Sequence, residues 1–117
     1  MKTLLLIITL TFIVSCAPDP TMAEDVRFEV EYTGSWDGAI TMDDEEIAIS
    51  GTGAAEYTYA HYRSWYYISV QKDDDSNNKI SVKIEGITGS GEVVITESGS
   101  STSAYGIAST SLMSEIY

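Results

Sequence analysis

From Val26 onward, apolar residues recur at every second position, and no other feature of the chain narrows its fold so far. Val26, Phe28, Val30 and Tyr32 alternate with Arg27, Glu29 and Glu31. In an extended strand successive side chains point to opposite faces, so this spacing buries one face and wets the other. The pattern returns in Trp36, Ile40 and Met42, in Ile47 and Ile49, and in Tyr57 and Tyr59. It returns again in Tyr66, Ile68 and Val70, in Ile80, Val82 and Ile84, and in Val93 and Ile95. Turn residues separate these runs: Gly34-Ser35, the acidic Asp43 to Glu46, Gly51-Thr52-Gly53, the polar Asp73 to Asn78, and Gly86, Gly89, Gly91 and Gly99. A last strand is expected over Ala104 to Leu112. Tyr105 and Ile107 share one parity there and Leu112 has the other, so a bulge is expected.

Seven or eight short strands at this spacing leave no room for helical crossovers. The expected fold is therefore all-β, a small antiparallel β-sandwich or barrel over residues 26–117. Helical periodicity is confined at most to Leu112–Tyr117. A domain of about 90 residues buries only some 60–65% of its unfolded surface. The chain has one cysteine and so no internal disulfide, which leaves the aromatic residues to supply much of the core. The formal net charge of −12 repels polyanions and excludes nucleic acid as a partner.

The first fifteen residues read as an export signal. Lys2 supplies a positive start, and Leu4 to Val14 is apolar except for Thr9 and Thr11. Eleven residues span roughly 16 Å as a helix, about half a bilayer core, which suits a signal peptide and not a membrane span. The stretch ends in Ile13-Val14-Ser15-Cys16, which resembles a bacterial lipobox. The resemblance implies cleavage before Cys16 and acylation of its sulfur and new amine. The thiol is required because the diacylglycerol is attached as a thioether, and Ser15 is small enough for the peptidase to approach. At about 0.8 kcal/mol per buried methylene, two or three chains anchor a protein firmly. Thr21-Met22-Ala23 also suits an ordinary signal peptidase, leaving Glu24 as the terminus. In the lipoprotein reading, residues 1–15 are the signal, and loss of Lys2 takes the net charge to −13. Residues 16–25, with Pro18 and Pro20, form a tether. Its nine residues after Cys16 reach at most ~30 Å. Ala17 after the cysteine, by the same resemblance, permits export to an outer membrane where the cell has one.

The run Val26-Arg27-Phe28-Glu29-Val30-Glu31-Tyr32 leads through Gly34 into Trp36-Asp37-Gly38-Ala39-Ile40-Thr41. Later come Ile80-Ser81-Val82-Lys83-Ile84, a glycine turn, Glu92-Val93-Val94, and Ser98 to Ser103 leading into Ala104-Tyr105-Gly106-Ile107-Ala108. Over roughly residues 26–112 this order resembles the small sandwich domain of mycobacterial MmpS-type accessory proteins and related acidic envelope proteins. The resemblance implies an extracytoplasmic immunoglobulin-like or transthyretin-like sandwich, in a family whose members stand beside exporters. Two features depart from it. The family's cysteine pair is missing, and a lipobox stands where those proteins have a transmembrane helix.

Candidate sites are few. Six of the twelve aromatic residues fall in Tyr57–Tyr67. Alternation turns Tyr66 inward and leaves Tyr62, Arg63, Trp65 and Tyr67 to cluster outside, where rings suit sugar stacking, peptide docking or a membrane interface. Arg63 adds a cation–π contact or a carboxylate fork. The same residues also suit plain core packing and cross-strand pairing. His61, the only histidine, is accompanied by no Gly-x-Ser-x-Gly elbow, so no catalytic residue is assigned. Asp73, Asp75 and Asn77 begin like a calcium loop at positions 1, 3 and 5, but Asn78 replaces the glycine at position 6 and Ile84 the glutamate at position 12. They read as a solvated turn, with weak calcium binding as the alternative. No cofactor motif is present. The expected role is a non-enzymatic envelope protein, held to the membrane through Cys16, that binds a protein such as a transporter or, alternatively, a glycan.

Overall fold

A computed structural model describes residues 23–60 and 63–113. The signal, Cys16, His61 and Tyr62 lie outside the described residues. Eight strands follow in order: β1 (Asp25–Glu31), β2 (Ser35–Met42), β3 (Glu45–Thr52), β4 (Ala55–Ala60), β5 (Trp65–Lys72), β6 (Ile80–Ile87), β7 (Val93–Ser101) and β8 (Ile107–Met113). They form two four-stranded antiparallel sheets, one ordered β4-β1-β6-β7 and the other β3-β2-β5-β8. The expected antiparallel sandwich is what the chain builds, with no helix among the described residues.

Alternation determines which side chains meet between the sheets. β1 and β6 contribute Val26, Phe28, Val30, Ile80, Val82 and Ile84, while β2 and β5 contribute Trp36, Ile40, Met42, Tyr66, Ile68 and Val70. Phe28 lies 5.9 Å edge-on from Tyr59 of its own sheet and bridges the layers to Tyr66, 6.2 Å away. Buried polar atoms on these rings find partners: Trp36 Nε1 donates to the Gly53 carbonyl (2.9 Å), and the Arg63 amide donates to the Tyr66 hydroxyl (3.0 Å). On one side β7 crosses close to β8. Gly99 makes this possible, since a Cβ there would strike the Ser109 carbonyl.

The structure differs from the sequence reading in three places. β8 pairs with β5 in unbroken register from Trp65↔Met113 to Gln71↔Ile107, so it has no bulge. Its buried residues are Ala108 and Leu112, and Tyr105 and Ile107 face solvent instead. The irregularity lies at Gly86/Ile87 against β7, where the hairpin 88–92 begins. The acidic turn is also shorter than expected, since Glu45 and Glu46 already belong to β3. Finally, Ala23 to Asp25, read as the end of the tether, are built into the sandwich: Ala23 is buried and the Glu24 amide donates to the Ile87 carbonyl (2.7 Å).

Candidate functional site

The aromatic cluster sits where β4 hands the chain across to β5. Asp43, at the β2–β3 turn, has a left-handed backbone (φ 56°) that aims its carboxylate at the start of β5. There it accepts from the Ser64 hydroxyl (2.7 Å) and the Trp65 amide (3.0 Å). The Ser64 hydroxyl above all, followed by the Ser64 and Trp65 amides, holds the Asp43 carboxyl below its ordinary value. β5 thus starts from a fixed point. Trp65 and Tyr67 both project from its solvent side, stacked nearly parallel (12°) with centroids 5.6 Å apart. Neither ring belongs to the core.

Arg63 does not join that stack as a free fork. Its Nη2 bonds Glu45 at 2.6 Å and its Nη1 donates to the Met42 carbonyl at 3.3 Å, so the guanidinium braces the β2–β3 turn. Of the four residues expected to form a surface, the structure brings Trp65 and Tyr67 together and gives Arg63 a bracing role. Tyr62 lies outside the described residues.

The calcium candidates Asp73, Asp75 and Asn77 all lie exposed in the loop between β5 and β6. Asp73 lies against Asp37, and desolvation together with that neighbouring charge raises its carboxyl above the ordinary value. Asp74, between the candidates, is the engaged carboxylate. It accepts from the Tyr32 hydroxyl (2.6 Å) and the Ser76 hydroxyl (2.8 Å), and these bonds hold it below its ordinary value. The loop already carries its own cation. Lys72 is fully buried, and its Nζ donates to the carbonyls of Ser76 (2.6 Å) and Ser103 (3.0 Å) while standing 5.6 Å from the Tyr32 ring centroid. Among the described residues no three His, Cys, Asp or Glu side chains gather as a metal set.

Lys72 escaped the sequence reading, although a signal was present. It continues the inward parity of Tyr66, Ile68 and Val70, so a strand carried two residues further points it into the interior. Its ammonium ties loop 73–79 to loop 102–106. In the latter, Tyr105 adopts a left-handed backbone (φ 51°), costing roughly 1–2 kcal/mol for a residue with a Cβ. The Tyr105 amide donates to the Asp74 carbonyl (2.8 Å), and its own carbonyl accepts from Gln71 Nε2 (3.0 Å). Nothing in the sequence around Tyr105 marks that conformation.

A concavity of about 390 Å³ lies on the other sheet between β4, β1 and β6, beside Glu29, Glu31, Glu56 and Lys83. Charged groups there are mostly paired. Arg27 Nη2 bonds Glu85 at 2.7 Å and Lys83 bonds Glu29 at 3.3 Å. Burial pushes the Glu85 carboxyl up, but the Arg27 guanidinium outweighs it and keeps the group below its ordinary value. The same hydrogen bond raises Arg27.

No protein-family model, curated protein or solved structure matches the chain.

Proposed function

We propose that this chain is a lipid-anchored envelope protein that acts as a non-enzymatic binding module for another protein, beside an export system in the reading its MmpS-type resemblance suggests. The observation that carries the binding role is the Trp65–Tyr67 stack, a pair of large rings held on the solvent face of a sheet whose core is complete without them. Rigid aromatic side chains lose little entropy on docking and are over-represented among residues that dominate interface energies. The anchor rests on Ile13-Val14-Ser15-Cys16. The chain enters the sandwich through Ala23 and Glu24, and Asp25 of β1 pairs with Ala60 at the end of β4, so entry is at the end where β5 begins with Trp65. In this reading the stack stays within the tether's reach of the membrane.

A second reading uses the same rings for a glycan. Stacking Trp65 on Tyr67 takes one face of each ring, which favours a protein surface over a sugar that needs an open ring face. Two experiments test the proposal. Globomycin treatment is expected to leave an uncleaved precursor, and the untreated mature protein to fractionate with membranes; a fully soluble product unaffected by the drug rejects the anchor. On a glycan array no binding is expected; binding lost in Trp65→Ala and Tyr67→Ala replaces the protein partner with a sugar.

A further inference from the structure

The outer face of the β3-β2-β5-β8 sheet continues from the half-buried aromatic stack to an exposed apolar group at its opposite end. Across its middle the register aligns Ala48, Ala39, Ser69 and Ser109, four small side chains that leave the sheet open to close approach. Beyond them stand Asp37, Gln71 and Ile107 in one cross-strand row. Tyr105 and Ile107 are 55% and 57% exposed, the most exposed large apolar side chains among the described residues. Between Asp37 and Ile107 lies a depression of about 250 Å³ with Gly38 and Ser69 in its wall. A Cβ at Gly38 would strike the Ser69 carbonyl, so β2 and β5 approach closely there.

Tyr105 is not loose. Asp74, Gln71 and, through Gly106, Lys72 hold its backbone on both sides, so a left-handed tyrosine is kept pointing into water. Bulky residues in this conformation are rare, and where surrounding structure enforces one it marks a function to be sought. The charge across the depression from Ile107 is one-sided. Asp37 and Asp73 lie together, and among the described residues neither forms an ion pair.

We infer that Tyr105 and Ile107, with Asp37 and Asp73 alongside, form a second contact surface for a protein partner whose docking segment sets a Lys or Arg next to an apolar side chain. The inference rests on the binding-module reading and names the partner's chemistry. The apolar part of the segment covers Tyr105 and Ile107, and its cation relieves the repulsion between the two carboxylates. This end is opposite the point where the tether enters, so the partner reaches the surface from the side away from the lipid.

The probe is a library of phage-displayed random twelve-residue peptides, selected on the full mature protein in detergent micelles. Enriched peptides are then made synthetically and measured by fluorescence polarisation. Enriched sequences are expected to carry Lys or Arg within about three positions of an apolar residue. Tyr105→Ala and Ile107→Ser are each expected to weaken binding at least tenfold, and Asp37→Asn several-fold with a flatter salt dependence. Thr58→Ala, on the other sheet, stays within twofold. Tyr105→Gly relieves the backbone, so it is expected to melt no lower than the parent while binding as poorly as Tyr105→Ala, which separates lost contact from lost folding. Peptides that carry no basic residue, or that bind Tyr105→Ala and Ile107→Ser as tightly as the parent, overturn this surface. If their binding then depends on Trp65 and Tyr67, the module reading stands; if no peptide is enriched at all, it falls as well.

Discussion

The two solvent faces of the sandwich are built from the same alternation and differ in what they leave unsatisfied. On the β4-β1-β6-β7 face, Arg27 is surrounded by Glu85, Glu29 and Glu56, and Lys83 bridges Glu29 and Glu85. Each cation there serves more than one carboxylate. On the β3-β2-β5-β8 face, small side chains lie between a stacked Trp65–Tyr67 pair and exposed Ile107, and the carboxylates of Asp37 and Asp73 repel each other. Arg27 and Lys83 pair with carboxylates of the first sheet, whereas on the second sheet Arg63 braces a turn, Lys72 is buried, and the solvent side carries half-buried Trp65 and Tyr67. The first face thus carries a network of ion pairs, and the second leaves Tyr105 and Ile107 exposed among the described residues.

The largest effect that sharpens this contrast is expected at Lys72. Lys72→Ala removes a buried stem and leaves the Ser76 and Ser103 carbonyls unpaired, at a cost of about 3 kcal/mol. In hydrogen exchange, loops 73–79 and 102–106 are expected to open while the Asp43–Trp65 end stays protected. Uniform loss of protection would show that the two ends are not built separately. Arg27→Ala comes next, at about 1–2 kcal/mol in urea unfolding, because it strands the buried Glu85 carboxylate. A neutral result would make the charged face mere surface decoration. Third, a double-mutant cycle of Trp65→Ala and Tyr67→Ala is expected to give about 1 kcal/mol of coupling from the stacked rings. Zero coupling would mean that the pair is not held together in solution.

The smallest effect concerns two neighbouring carboxylates with opposite signs. Asp73 has its pKa raised in the fold, so its penalty is absent below the ordinary carboxylate range and grows as pH rises through it. Asp73→Asn is expected to raise the melting temperature at pH 7 and leave it unchanged at pH 3. Asp74 has its pKa lowered by Tyr32 and Ser76, so its contribution is present above that range and is lost as pH falls through its depressed value. Asp74→Asn is expected to lower the melting temperature at pH 7. Thermal scans of both variants at the two pH values check the pair, and shifts of the same sign at pH 7 would contradict the placement of Asp37 and Tyr32 around them.

Much of the fold was legible before the structure, and the reason is local. Val26 to Tyr32, Trp36 to Met42 and Ile80 to Ile84 face the core as their alternation requires, because side-chain direction along a strand depends only on position. The candidate site was legible in part. Trp65 and Tyr67 project outward as parity demands, but Arg63 was expected on the same surface and instead braces Met42 and Glu45. Parity states the side of a sheet and not what waits there. Tyr105 and Ile107 misled for a related reason: Tyr105 lies in a turn, where alternation has no meaning, and an exposed apolar residue looks like a buried one in sequence.

Alternation and turn residues were enough to settle that the chain forms short strands with one buried face each, since both act over a few neighbouring residues. Only the tertiary arrangement decided that β1 lies between β4 and β6, that the buried Lys72 ammonium ties the acidic loop to loop 102–106, and that Tyr105 is fixed in the open. These depend on contacts between residues distant along the chain, such as Arg27 with Glu85 and Tyr32 with Asp74, whose energies no local pattern encodes.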